Sequence, residues 1–296
     1  MRTSLVAAAT ALTVVAAGVI TGVAVTARPA TAALGDVPAD CKASTAAYRT
    51  DGQRLTYEYA AGGTNTKAYR NDSLPWVPSA FQQMGGAGDD THFRTTEFAA
   101  HPTSGWLFKV IRQGELVDGT WSVTEMSASH LMDGFGGTRI LAYGYPYLYR
   151  AAGNYLYRYT VGATDGVPKA KVRLAGTAWD TVTTLTYERT EGTGDAAVDV
   201  LIGTKTNGEL KEWRIKRATP TGAISSTVLK SAYWDKFTSL STGYCQDHPN
   251  GRPLLGITST GAASVHFDAN KTDRSGTDIK GGSLGSLGWT AKAYGQ

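Results

Sequence analysis

The fold is decided by five short segments: Gly52-Gln-Arg-Leu-Thr-Tyr57, Gly105-Trp-Leu-Phe108, Gly153-Asn-Tyr-Leu-Tyr157, Gly208-Glu-Leu-Lys-Glu-Trp213 and Gly261-Ala-Ala-Ser-Val265. Each one places a turn glycine before an apolar, mostly aromatic strand. The five glycines are 53, 48, 55 and 53 residues apart. A further tryptophan follows each glycine, and these five are Trp76, Trp121, Trp179, Trp234 and Trp289. Two markers that keep one period indicate a structural repeat.

Each repeat has the pattern of short strands separated by tight turns. In the third repeat, apolar runs at 139–144, 155–161, 170–174 and 182–187 are bounded by Gly, Pro, Asn or Asp, which predicts four strands. No ten-residue stretch has the spacing of an amphipathic helix. The sequence therefore predicts an all-β fold, a five-bladed β-propeller with about fifty residues and four strands per blade. A β-sandwich or an open array of β modules is the alternative.

The N-terminus has the features of a secretory signal peptide. Arg2 precedes an uncharged apolar run over 5–27, and Ala30-Thr-Ala32 has the A-x-A cleavage pattern. A membrane anchor is the alternative, because the run is about long enough to span a bilayer. We expect a signal peptide at 1–32, an N-terminal segment at 33–43, a single propeller domain at 44–296, and a secreted, extracellular protein.

The chain has two cysteines, Cys41 and Cys245. In an exported protein an even pair predicts one disulfide bond, although two free thiols or half of a metal site would also use these residues. Cys41 precedes the first predicted strand, and Cys245 lies in the link from unit four to unit five. In a closed ring these units are neighbours, so the bond would join the two ends of the repeat.

Charge excludes several partner classes. Without residues 1–32 the chain has 27 basic and 25 acidic residues, and it contains no run of Lys and Arg. This balance gives no indication of a nucleic-acid or anionic-membrane partner. We expect no cofactor, a monomer, and glycans or a glycan-coated surface as the partner.

Two stretches resemble the unit of tachylectin-type propeller lectins. That family pairs a Gly-x-Trp-Asn/Asp segment with a following D-G-x-L-Y hairpin. Here Leu174-Ala-Gly-Thr-Ala-Trp179-Asp180 precedes the hairpin segment 200–210, and Lys230-Ser-Ala-Tyr-Trp234-Asp235 precedes Gly261. The resemblance is close only in units three to five, and the Trp-Asp pair occurs in two units.

The resemblance implies sugar binding, with one shallow pocket per blade and N-acetylated hexosamines as the ligand class. It points to Trp179 with Asp180 and to Trp234 with Asp235 as ligand-binding residues. An indole face packs on the apolar face of a pyranose, and a neighbouring carboxylate accepts hydrogen bonds from its hydroxyls. The structural alternative is that a tryptophan recurring once per blade packs between blades.

A second, weaker resemblance is to degenerate FG-GAP/VCBS propeller repeats, whose Asp-rich loop binds calcium. The segment 193–203 keeps Asp195 and Asp199 but has Ala196 and Ala197 between them. A calcium loop needs more oxygen donors than this, so no metal site is predicted.

No catalytic constellation is evident, so the chain is expected not to be an enzyme. A glycoside hydrolase needs two facing carboxylates, whereas the acids here are scattered. The acids form two clusters, Asp89-Asp90 and Glu188 with Glu191, and we expect both to be solvated because they lie next to turn residues. The function expected is that of a secreted lectin that binds glycans weakly at several sites. The alternatives are a non-catalytic extracellular propeller that contacts proteins and a glycan-active hydrolase.

Overall fold

The computed structural model describes residues 34–289 and 291–295, so the predicted signal peptide at 1–32 lies outside the described residues. The described chain is built from strands, and its helices are three single 3₁₀ turns at Leu34–Asp36, Trp179–Thr181 and Gly194–Ala196. The expected all-β class is therefore confirmed. None of these helices has the length and apolar character needed to cross a membrane.

The strands of the described residues pair antiparallel in groups of four. The first group contains β1 (Cys41–Arg49), β2 (Gln53–Ala60) and β3 (Gly63–Ser73). The second is β4 (Ala80–Gly88), β5 (His92–Ala100), β6 (Leu107–Val117) and β7 (Thr120–Met132). The third is β8 (Thr138–Gly144), β9 (Tyr147–Ala152), β10 (Tyr155–Val161) and β11 (Pro168–Arg173).

The fourth group is β12 (Val182–Glu191), β13 (Val198–Lys205), β14 (Leu210–Lys216) and β15 (Ser225–Lys230). The fifth is β16 (Phe237–Cys245), β17 (Arg252–Thr258), β18 (Ala262–Asp268) and β19 (Lys280–Ser286). The last strand, β20 (Ala291–Gly295), returns to pair with β1 and completes the first group. Short β1–β16 and β3–β7 pairings join the first, second and fifth groups into a sheet of 12 strands, beside two sheets of four.

The leading strand of each group, which is β20, β4, β8, β12 or β16, lies beside one small cavity. β4 contacts β8, β8 contacts β12, β12 contacts β16, β16 contacts β20, and β20 contacts β4. The cavity has a volume of about 50 Å³, and all five of these strands line it, for example through Arg139 of β8 and Tyr294 of β20. The C-terminal strand therefore stands beside β4 and completes the circuit.

An apolar cluster fills each junction between successive groups. Leu141 packs with Phe98 between the third and second groups, and Leu201 packs with Tyr149 between the fourth and third. The other three junctions are filled in the same way around Leu254, Leu255 and Phe81. Side chains on both faces of inner strands are thus buried, which explains why strands such as β9 and β17 have no polar face.

The five repeat glycines occupy the same turn of their groups, between the second and third strands. Their φ angles lie between +52° and +89°, in the left-handed region that favours glycine. At Gly52 a Cβ atom would lie 1.9 Å from the carbonyl oxygen of Leu74, so this turn also needs the missing side chain. This placement agrees with the equivalence predicted from the glycine spacing.

The prediction that the five tryptophans occupy equivalent positions is wrong for one of them. Trp76, Trp179, Trp234 and Trp289 lie in the links that precede a leading strand, but Trp121 lies within β7. The corresponding link before β8 carries Phe135, which is 1 % exposed. Trp121 follows its glycine by only 16 residues, against 24 to 28 for the others, so the spacing itself marked the exception.

The strands predicted for the third repeat also need correction. The prediction missed β9 and assigned 182–187, which belongs to β12, to the wrong group. The run from 139 to 152 is a hairpin that turns at Tyr145-Pro146. Because both of its strands are apolar on both faces, periodicity did not separate them. In addition, β1 begins at Cys41, three residues before the predicted start of the domain at 44.

Cys41 and Cys245 are bonded to each other, as predicted. The bond joins β1 of the first group to β16 of the fifth group, where Cys41 pairs in register with Cys245. The two half-cystines are 0 % and 6 % exposed and pack with Tyr59 and Phe267. The disulfide thus connects the N-terminal group to the last complete group of the chain.

Charged side chains are buried between groups as well. Arg252 is 1 % exposed, donates to Asp268 at 2.8 Å and contacts Glu188 and Glu212 of the fourth group. The interpretation of Glu188 as a solvated residue is therefore wrong, because guanidinium groups enclose it. Asp199 is likewise buried and accepts hydrogen bonds from Tyr149 at 2.5 Å and Arg217 at 2.7 Å.

Candidate functional site

Two surface cavities occupy equivalent places in the fourth and fifth groups. The Trp179 cavity has a volume of about 410 Å³ and is lined by Trp179, Val182, Lys205, Lys211, Trp213 and Ser226 together with neighbouring loop residues. The Trp234 cavity has a volume of about 390 Å³ and is lined by Trp234, Phe237, His266, Lys230, Lys236, Lys280 and Ser283, among others. In each cavity the tryptophan comes from the link before the leading strand, and a second ring comes from the third strand.

The same backbone arrangement places both tryptophans. The preceding residue has a left-handed φ in each case, 65° at Ala178 and 72° at Tyr233. The backbone N–H of Trp234 donates to the carbonyl of Gly208 at 3.1 Å, and that of Trp179 donates to the carbonyl of Asn154, one residue after the repeat glycine, at 3.4 Å. Non-glycine residues are uncommon in this region because the Cβ atom is crowded there. Two such residues at matching positions therefore indicate one local structure used twice.

Ring pairs form the inner wall of each cavity. The rings of Trp179 and Trp213 are 5.4 Å apart, and those of Trp234 and His266 are 4.9 Å apart. Trp179 is 5 % exposed and Trp234 is 6 % exposed, so most of each indole belongs to the apolar cluster between groups. Each tryptophan therefore packs between groups and also lines a cavity.

Both cavities are basic. Lys205 and Lys211 line the Trp179 cavity, whereas Lys230, Lys236 and Lys280 line the Trp234 cavity. Of these, Lys205 pairs with Glu209 at 3.2 Å. Neither lining contains an aspartate or a glutamate.

The titration of His266 reflects this environment. Burial, together with the nearby ammonium groups of Lys236 and Lys230, lowers the pKa of His266 to about 4. The imidazole is therefore neutral at physiological pH. A neutral ring leaves the lysines as the charged groups of this cavity.

The two predicted aspartates lie outside the cavities. Asp180 and Asp235 are exposed, and neither lines the cavity beside its neighbouring tryptophan. The structure thus brings Trp179 and Trp234 to cavity walls but separates the Trp-Asp pairs that the resemblance implied. In the Trp179 link, Arg139 of the third group donates to the carbonyl of Trp179 at 2.7 Å and braces that turn.

Sequence reasoning missed Trp213, His266 and the five lysines. Trp213 and His266 each follow their repeat glycine by five residues, so aligning the third strands of the repeats would have paired them. The lysines carry no such signal, because they come from different strands of the two groups.

The matching place in the second group is filled by aromatic rings. The ring centroid of Trp76 lies 4.8 Å from that of His101 and 5.2 Å from that of Phe108, and the ring centroids of Trp106 and His130 are 4.9 Å apart. In the first group Trp289 packs against Tyr57 at 6.0 Å. Equivalent positions therefore differ in their side chains from one group to the next.

No protein-family model matches the chain, and no curated protein matches it. Among solved structures, a luciferin-regenerating enzyme is similar at 8% identity and a TM-score of 0.37, covering 89% of this chain and 98% of its own. The Aleuria aurantia lectin, described as a six-bladed β-propeller with a fucose recognition mode, is similar at 12% identity and a TM-score of 0.41. That likeness covers 84% of this chain and 74% of the lectin.

Proposed function

We propose that this chain is a secreted five-bladed propeller that binds carbohydrate at the Trp179 and Trp234 cavities. The observation that carries the proposal is the repetition of one cavity in two successive groups, each with a ring pair on its wall. Support for the blade count comes from the contacts among β4, β8, β12, β16 and β20 and from the clusters at all five junctions. The disulfide agrees with export to an oxidising compartment.

The cavities suit a sugar in size and chemistry. Ligand pockets have volumes of roughly 300–1,000 Å³, and both cavities fall near the lower end of this range. The aromatic rings on each cavity wall offer an apolar surface to the C–H face of a pyranose, while Ser226 and Ser283 offer hydroxyl groups to its oxygens. Binding of one monosaccharide would be weak, since little area is buried and water bonds are exchanged for protein bonds at small net gain.

A glycan array on the mature protein tests the proposal. Two cavities on one rigid body would raise binding to a dense glycan surface above that to a free sugar by roughly 10²–10⁴. Filling both cavities through Ser226→Tyr with Ser283→Tyr should abolish array binding. The matched control is Ser225→Tyr with Ser286→Tyr, because these exposed serines lie on the same strands and line neither cavity.

Binding that survives the cavity-filling pair would place the site elsewhere. Absence of binding to any glycan by the unaltered protein would contradict the proposed function and favour a propeller that contacts other proteins. The ligand class implied by the tachylectin resemblance, N-acetylated hexosamines, is included on the array as a separate set.

A further inference from the structure

The Trp234 cavity has several positively charged side chains, although the net charge of the protein is small. Without residues 1–32 the excess of basic over acidic residues is two, yet three lysines line this one cavity. In the described part of the chain, no carboxylate oxygen lies within 4 Å of the ammonium of Lys230, Lys236 or Lys280. The salt bridges found involve Lys67, Lys169 and Lys205 instead. Within the described residues these three ammonium groups therefore form no salt bridge.

The cavity combines this charge with an aromatic wall. His266 is only partly exposed, lies on the wall beside Trp234, and is driven towards its neutral form by burial and by Lys236 and Lys230. Lys230 ends β15 of the fourth group, whereas Lys280 begins β19 of the fifth, so the ammonium groups reach the cavity from two groups. The geometry thus surrounds an aromatic wall with cationic donors.

We infer that the Trp234 cavity selects an anionic saccharide, one that carries a carboxylate, sulfate or phosphate group, over its neutral counterpart. The inference rests on the proposed carbohydrate-binding function and names the ligand class of that site. The pyranose would lie against Trp234 and His266, and its anionic group would accept charge-assisted hydrogen bonds from the lysines. Such bonds are shorter and about twice as strong as those between neutral groups.

The Trp179 cavity provides an internal comparison. It has two lysines, and Lys205 is already paired with Glu209. Selectivity for the anionic sugar should therefore be weaker there. In an NMR titration, signals from residues of the two cavities give the affinity of each cavity separately in one sample.

The test is a set of NMR titrations of the mature protein with matched sugars: glucose and glucuronate, galactose and galacturonate, and N-acetylglucosamine and its 6-sulfate and 6-phosphate. At 20 mM NaCl we expect the anionic member to bind the Trp234 cavity at least about tenfold more tightly, which corresponds to about 1.4 kcal/mol. At 500 mM NaCl the preference should fall below about threefold, because salt screens partly exposed charges. The carboxylate, sulfate and phosphate arms identify the preferred anion.

A variant without the three lysine charges tests whether these residues cause the preference. Lys230→Gln, Lys236→Gln and Lys280→Gln together should remove the preference, so that the anionic and the neutral member of each pair bind with affinities within about twofold of each other. The control variant is Lys67→Gln, Lys169→Gln and Lys216→Gln, which removes the same charge from lysines that line neither cavity and should keep the preference.

Each remaining outcome decides the matter. Equal affinity for the neutral and anionic members would overturn the inference and leave the proposed function standing. Binding of inorganic sulfate as tight as that of the sulfated sugar would show that the site recognises an anion alone, and this also overturns the inference. No shift with any saccharide would overturn the inference together with the proposed function.

Discussion

The imidazole of His266 lies 4.9 Å from the indole of Trp234, which is the relationship that Trp213 has with Trp179 one group earlier. In both groups the ring of the third strand comes five residues after the repeat glycine and meets the tryptophan of the preceding link. One structural unit therefore presents two different chemical surfaces.

The first prediction concerns the packing role of the cavity tryptophans. Trp179→Ala or Trp234→Ala should lower the free energy of unfolding by about 3–5 kcal/mol, because each indole is nearly buried in an inter-group cluster. Trp106 is the matched control, since it is 43% exposed, and Trp106→Ala should cost about 1 kcal/mol or less. Urea denaturation measures both. Equal losses in the two kinds of variant would contradict this packing role.

The second prediction concerns pH. The folded-state pKa of His266, about 4, lies below the ordinary value of 6.5, so the unfolded chain binds the proton more readily. The resulting stability is present above pH 6.5 and is lost as the pH falls towards 4. Between pH 7 and pH 4.5 the unaltered protein should therefore lose about 2 kcal/mol more stability than His266→Gln. A parallel decline of the two proteins would show that His266 titrates normally.

The third prediction concerns the ion network around Arg252. Arg252→Met should destabilise the protein by about 3–5 kcal/mol, because it leaves Glu188, Glu212 and Asp268 buried without their shared cation. Arg49→Met is the control: Arg49 pairs with Asp51 at the surface, with both side chains about half exposed, and should contribute less than about 1 kcal/mol. Thermal melts at pH 7 compare the two. A small effect at Arg252 would mean that water enters the junction and solvates these acids.

The fourth prediction concerns the disulfide. Replacing both half-cystines, Cys41→Ala with Cys245→Ala, should cost about 2–5 kcal/mol, since the bond closes a loop with a sequence separation of 204 residues. Mass spectrometry of a non-reduced digest should first recover the linked peptides from the exported protein. Free thiols in that protein, or an unchanged melting temperature in the double variant, would contradict the prediction.

The repeat was readable from the sequence because its glycines obey a backbone requirement. Gly52 and its four equivalents have a left-handed φ at the same turn of each group, so glycine recurs there at a regular spacing. The tryptophan position is less restricted, because any large apolar side chain can fill the space under the link. Phe135 fills that role before β8, so the marker failed there.

The sequence predicted the tryptophans that line the two cavities but not the other residues around them. Trp179 and Trp234 stood out by their period, and the structure places both at cavity walls. Asp180 and Asp235 stood out only as neighbours in sequence, but the chain turns after each tryptophan and carries the aspartate away from the cavity. Lys230 and Lys280 meet across two groups, and such a contact is invisible until the strands are paired.

The exposed position of these aspartates gives a direct contrast. Asp180→Asn with Asp235→Asn should leave sugar affinity within about twofold, because neither carboxylate lines a cavity. Saccharide titration of the double variant checks this. A loss of binding greater than about tenfold, with an unchanged melting temperature, would return the aspartates to the site.

The central claim is that a saccharide lies against Trp179 and Trp234, and the indole N–H signals of the mature protein test it most directly. The protein labelled with ¹⁵N is titrated with the glycan that binds best on the array, and the side-chain signals of all its tryptophans are followed. We predict saturable shifts of the Trp179, Trp213 and Trp234 signals, with the Trp76, Trp106, Trp121 and Trp289 signals unmoved. Saturable binding that shifts only the latter four, or shifts no indole signal, would contradict the account.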